Sequence, residues 1–69
     1  MTGWASLTDT EREVANLVAE GLTNREVAGK LFLSRHTVDF HLRQIFRKLD
    51  VASRVGLVHV VLERSRDEP

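Results

Sequence analysis

Residues 23–49, TNREVAGKLFLSRHTVDFHLRQIFRKL, hold two helix starts and two apolar stripes in close succession. Thr23 and Glu26 form a capping box, in which each side chain satisfies a backbone N–H that the first helical turn leaves free. Val27, Ala28, Leu31 and Phe32 then supply the apolar face of a short helix, over about residues 24–32. Leu33 and Ser34 break the run, and Ser34 is a good N-cap for a helix over about residues 35–49. In that helix Val38, Leu42, Ile45 and Leu49 follow one another at steps of four, three and four, a single stripe. A connection of only about two residues forces two such helices to cross steeply.

The flanking sequence repeats this grammar. Thr8 and Glu11 form another capping box, Val14, Leu17 and Val18 form a stripe, and Gly21 can end a helix in the left-handed conformation. This predicts a first helix over about residues 8–20. Asp50 and Val51 close the third helix, and Ser53 caps a fourth over about residues 53–64. The fourth helix is rich in valine, which lowers its propensity, but it shows no strand-like alternation. Val55, Val58 and Leu62 keep a helical spacing and are assigned to the core. Leu57, Val60 and Val61, with Arg64, form a second stripe, which a monomer does not need. The expected fold is all-α, a four-helix bundle. Residues 1–6 form an N-terminal arm or linker stub, 7–64 the domain, and 65–69 a frayed tail. Trp4, outside all four helices, either pins the arm to the core or marks the stub.

With 69 residues, 42% of them hydrophobic and 29% charged, the chain has the composition of one small globular domain. It has neither a nucleophile–base pair nor room for a walled cleft, so no enzyme, catalytic residue or cofactor is expected. No apolar run approaches the ~20 residues of a membrane span. The start, MTGWASLTD, lacks a signal peptide's basic and apolar regions. The absence of cysteine excludes disulfides and thiolate metal sites. His36 and His41 are five residues apart, off one helical face, with no acidic cluster beside them, so no metal site is expected either. These features suit the cytoplasm.

The ten basic and ten acidic residues cancel, but unevenly. Residues 1–22 set Arg12 against Asp9, Glu11, Glu13 and Glu20. Residues 23–54 carry Arg25, Lys30, Arg35, Arg43, Arg47, Lys48 and Arg54 against Glu26, Asp39 and Asp50, a net +4. On charge alone a basic middle fits either ordinary solvated helix faces or a phosphate-binding surface; on a steep helix pair it suits a helix-turn-helix, whose second helix enters the DNA major groove. A plain helical hairpin shares the geometry; the outward face of the third helix favours DNA. With Val38, Leu42, Ile45 and Leu49 inward, Arg35, His36, Asp39, Phe40, Arg43 and Arg47 lie on or beside the opposite face.

Four strings carry a family resemblance: Leu7 to Val14, Gly21 to Ala28, Leu33 to His41, and Lys48 to Val51 followed by Ser53 and Arg54. In order and without gaps, they resemble the successive signatures of the LuxR-type helix-turn-helix. Region four of bacterial sigma factors is similar over the middle two strings, but not in the Lys-Leu-Asp-Val and Ser-Arg ending. The resemblance implies a four-helix DNA-binding output domain of a bacterial transcription regulator, such as a response regulator. It also implies homodimers, weak in isolation, paired through the fourth helix on inverted-repeat double-stranded DNA, with RNA polymerase a further partner. The dimer residues would be Leu57, Val60, Val61 and Arg64.

On that reading Asn24 and Arg25 touch phosphates from the start of the second helix. Ser34 and Thr37 hold a phosphate at the start of the third. Arg43 reads a base edge or grips a phosphate, while Arg47 and Lys48 touch the backbone. Arg35, His36, Asp39 and Phe40 sample the groove. Phe40 either meets a thymine methyl or folds back on its neighbours. Asp39 departs from the lysine common in the family, so it is expected to alter sequence preference and weaken non-specific binding. Arg54 is expected to pair with Glu11 or Glu13, tying the last helix to the first. The rival from another class is a protein-interaction module that uses the fourth-helix surface.

Overall fold

In the computed structural model, which describes residues 3–67, the chain forms α1 (Asp9–Ala19), α2 (Asn24–Leu31), α3 (Arg35–Leu49) and α4 (Arg54–Asp67). A short 3-10 turn, Trp4–Ser6, precedes them, and no strand occurs among the described residues. The architecture is the all-α one that the caps predict. Both capping boxes form, with Thr8 and Thr23 each accepting from the backbone of the glutamate three residues on. Ser34 Oγ accepts from the Thr37 N–H at 3.0 Å, and Ser53 Oγ accepts from the Gly56 N–H at 3.3 Å. Gly21 takes φ 99°, a conformation that costs glycine nothing and lets the chain leave α1 sharply.

α1 packs against α4 and α3, and α2 lies on α3. Val14, Ala15 and Val18 of α1 meet Val27 and Ala28 of α2, Val38, Leu42 and Ile45 of α3, and Leu57 and Val61 of α4 in one core. Each fully buried Val, Leu or Ile side chain contributes about 1.5–3 kcal/mol by leaving water, so these few residues carry a domain this small. Trp4 packs against the same core, and the Gly3 N–H donates to the Lys48 carbonyl at 2.7 Å. The arm is therefore pinned where α3 ends. Arg64 adds a cation–π contact, its guanidinium 4.9 Å from the Trp4 ring centroid.

Three expectations are corrected. Phe32 does not share the apolar face of α2. It adopts the left-handed conformation at φ 57°, one residue past the helix, and is 94% exposed. That turn sends the Leu33 N–H back to the Ala28 carbonyl and aims α3 across α2. The stripes of α4 are also exchanged. Leu57 and Val61 are buried in the core, whereas Val55 and Leu62 are 66% and 51% exposed; only Val58 packs as expected. Of the four residues assigned to a dimer face, Leu57 and Val61 are thus spent inside the monomer and Val60 is half-buried. Arg64 is exposed and carries the Trp4 contact. The cause is the contact with α1. α4 is apolar on two sides, and the inward side is set by where α1 meets it. Finally, α4 runs on to Asp67, past the expected end near Arg64; residues 68 and 69 of the expected tail lie outside the described residues.

Candidate nucleic-acid interface

α3 offers two opposed faces. Val38, Leu42 and Ile45 are buried, and Leu49 is packed on the core behind them. A step of four, three and four on the other side gives His36, Phe40, Arg43 and Arg47, all exposed. Arg35 is exposed beside them, and Asp39 stands half-buried on one flank. Five of the expected groove residues thus share one outward surface, with Asp39 at its edge. Arg43 Nη2 donates to Asp39 Oδ2 at 2.8 Å, so the acid and the central base of this surface are one pair. Phe40 neither folds into the core nor stands alone: its ring meets His41 edge-on, centroids 5.8 Å apart.

The start of α3 is closed by two hydroxyls. Besides capping the Thr37 N–H, Ser34 Oγ lies 2.9 Å from Thr37 Oγ1, which fixes both hydroxyls at the N-terminus of α3. The partial positive charge of a helix N-terminus favours phosphate there. At the start of α2, Arg25 is exposed, but the Asn24 side chain is engaged: its Oδ1 accepts from Arg54 Nη1 at 2.6 Å. Arg54 Nη2 also donates to the Leu22 carbonyl at 2.6 Å. The expected pairing of Arg54 with Glu11 or Glu13 is therefore replaced by a brace between α4 and the start of α2. The reason is position: Arg54 opens α4 at the α1–α2 turn, within reach of Leu22 and Asn24.

Lys48 is displaced from the expected phosphate face. Its Nζ donates to Glu11 Oε1 at 2.8 Å, across to α1. Glu11 is only 4% exposed, and a buried carboxylate requires a countercharge. Burial pushes the Glu11 pKa up, but the Lys48 hydrogen bond and charge and the bonds with Thr8 outweigh it, leaving the group below its ordinary value. Glu26 is also lowered, by the Thr23 backbone and side-chain hydrogen bonds of its capping box. Two features of this end of the molecule escaped the sequence reading. Phe32 is a bare aromatic on the α2–α3 turn. Gln44, half-buried on the flank between Phe40 and Lys48, is a residue type that can read a base edge, and its spacing from Phe40 and Arg47 gives it away.

Comparison with known proteins decides what kind of domain this is. The family of bacterial regulatory proteins named for luxR matches residues 5–61. The chain belongs to the luxR family. A Mycobacterium bovis protein named for an HTH-type transcriptional regulator is 52% identical over 62 residues, which cover 90% of this chain and 7% of the relative. A nitrate/nitrite response regulator homolog of Haemophilus influenzae is 44% identical over 88% of this chain and 29% of its own length. Among solved structures, the response regulator StyR superposes with a TM-score of 0.80 at 41% identity, over 86% of this chain and 30% of that one. This luxR-family chain therefore corresponds to a small part of each of these relatives, the DNA-binding helix-turn-helix domain of a transcription regulator. Among the described residues no helix is long and apolar enough to cross a membrane.

Proposed function

We propose that this domain binds double-stranded DNA in a sequence-specific manner, with α3 in the major groove and α2 braced across the backbone. One observation carries the reading: His36, Phe40, Arg43 and Arg47 form an exposed stripe diametrically opposite the core stripe of α3. Arg25, Ser34, Thr37 and Arg47 seat the helix on phosphates, which fixes register but carries no sequence information. Arg43 and its neighbours His36, Asp39 and Phe40 face the base edges. Lys48 and Asn24 are structural, because Glu11 and Arg54 hold them.

A second copy docks through α4, in the cytoplasm of a bacterial cell, so that two α3 helices meet an inverted repeat. The surface available for it is the exposed Val55–Leu62 stripe, which with Val18, Leu22, Val58 and His59 lines a shallow groove between α1 and α4. RNA polymerase is the further partner that the family likeness suggests. The test is fluorescence anisotropy of a labelled mixed-sequence duplex across a salt series. If each subunit neutralises about four phosphates, log K falls against log salt with a slope near −3.6 per subunit. No binding at low salt, or a flat slope, overturns the reading and leaves the α4 groove as a site for a partner protein.

A further inference from the structure

On the DNA-facing side of α3, Asp39 is the one acid, and it does not point away from the basic residues there. It sits four residues before Arg43 and accepts from Arg43 Nη2 at 2.8 Å, although the Arg43 side chain is 72% exposed and the Asp39 side chain 47%. An exposed pair with this spacing adds little to helix stability, so stability does not account for a carboxylate on a phosphate-binding surface. Its consequence is geometric. A solvated arginine samples many rotamers, and each must be frozen out before the planar guanidinium can lie flat against a guanine edge. With one terminal nitrogen tethered to Oδ2, the guanidinium is already oriented, and its other N–H donors remain to grip the O6 and N7 acceptors of guanine. The same negative charge repels phosphates, so it penalises binding wherever the arginine finds no guanine.

Resting on the DNA-binding reading above, we propose that Asp39 is a positioning residue that sets base specificity through Arg43, making the pair a single guanine reader. Asp39 raises the ratio of specific to non-specific binding by holding Arg43, rather than by contacting a base alone.

The experiment selects duplexes from a randomised library with the wild-type domain, Asp39→Ala, Asp39→Glu, Arg43→Ala and the Asp39→Ala/Arg43→Ala double variant. Affinity for the selected site, for its guanine-substituted derivatives and for an unrelated duplex is then measured. Wild type is expected to require a guanine. Asp39→Ala lowers that discrimination about tenfold, the size of one good bidentate contact, while binding the unrelated duplex more tightly. Asp39→Glu restores most of the discrimination, because a longer carboxylate at the same spacing still reaches the guanidinium. In the Arg43→Ala background, removing Asp39 has no further effect on base preference. The inference is overturned if Asp39→Ala keeps the wild-type preference, or if its effect persists in full without Arg43. It is also overturned if wild type binds duplex DNA but requires no guanine, an outcome that leaves the DNA-binding reading standing. Absence of duplex binding by wild type overturns both.

Discussion

α3 and α4 are nearly equal in length, 15 and 14 residues, and both carry apolar residues at helical spacing, yet only one of them announces its inside. In α3 the apolar stripe of Val38, Leu42, Ile45 and Leu49 is opposed by His36, Arg43 and Arg47, so water and core divide the helix without ambiguity. α4 carries two apolar stripes. Either could pack, and the choice falls to the geometry of α1, which covers Leu57 and Val61 and leaves Val55 and Leu62 outside. Charge opposite a stripe identifies the face turned to water; apolarity on two sides identifies only that something is covered. Within residues 55–62 of α4 the one polar side chain points the right way: His59 lies in line with Val55 and Leu62 and marks that stripe as the outer one.

The largest effect tests this exchange directly. Leu57→Ala should cost about 3 kcal/mol of stability in urea or thermal unfolding, because it opens a cavity in the core. Leu62→Ala should cost no more than about 0.5 kcal/mol, as surface substitutions do. The reverse ranking would restore the stripe assignment that spacing alone suggested.

The next effect concerns what anchors the C-terminal end of α3. Glu11→Gln removes the charge that holds Lys48 and weakens the capping box of α1, at a cost of about 1–2 kcal/mol near neutral pH. Because the Glu11 pKa is lowered in the fold, its contribution is present above the unfolded value of ~4.3 and is lost as pH falls through the native one. Stability curves of wild type and Glu11→Gln should therefore converge in acid. Parallel curves down to low pH would show that the ion pair does not anchor α3.

Arg43→Ala comes third. It should weaken binding to a preferred site about tenfold while leaving the unfolding free energy within about 0.5 kcal/mol of wild type, since the side chain packs on nothing in the core. Smallest in stability is Leu62→Glu, expected within about 0.5 kcal/mol of wild type. It should nevertheless abolish any concentration-dependent dimerisation seen by sedimentation, because the charge enters the groove proposed for the second copy. If dimers survive, the pairing surface lies elsewhere.

What was legible in the sequence is what is local. Thr8 with Glu11, Thr23 with Glu26, Ser34 with Thr37 and Ser53 with Gly56 each span three residues, and a cap needs nothing further away. The outward stripe of α3 followed in the same way from its own spacing. The contacts that escaped lie far apart in the chain: Lys48 finds Glu11 across 37 positions and Arg54 finds Asn24 across 30. Such pairs depend on how helices cross, which periodicity does not encode. Phe32 fell between the two cases. Its spacing suits the α2 stripe, but the helix stops one residue short, and a left-handed turn swings the ring into water. The Asp39–Arg43 pair was written in the sequence at a helical spacing, yet reading the two residues one at a time concealed it.

The central claim is that the outward face of α3, and not α4, meets DNA. Isotope-labelled protein titrated with a mixed-sequence duplex, with amide shifts recorded at low and moderate salt, tests it most directly. Salt-sensitive shifts at Arg25, at Ser34 to Thr37 and at Arg43 to Arg47, larger than those that pairing of a second copy brings to Val55, His59 and Leu62, are the predicted result. Shifts confined to the α4 stripe, or none at low salt, would contradict it.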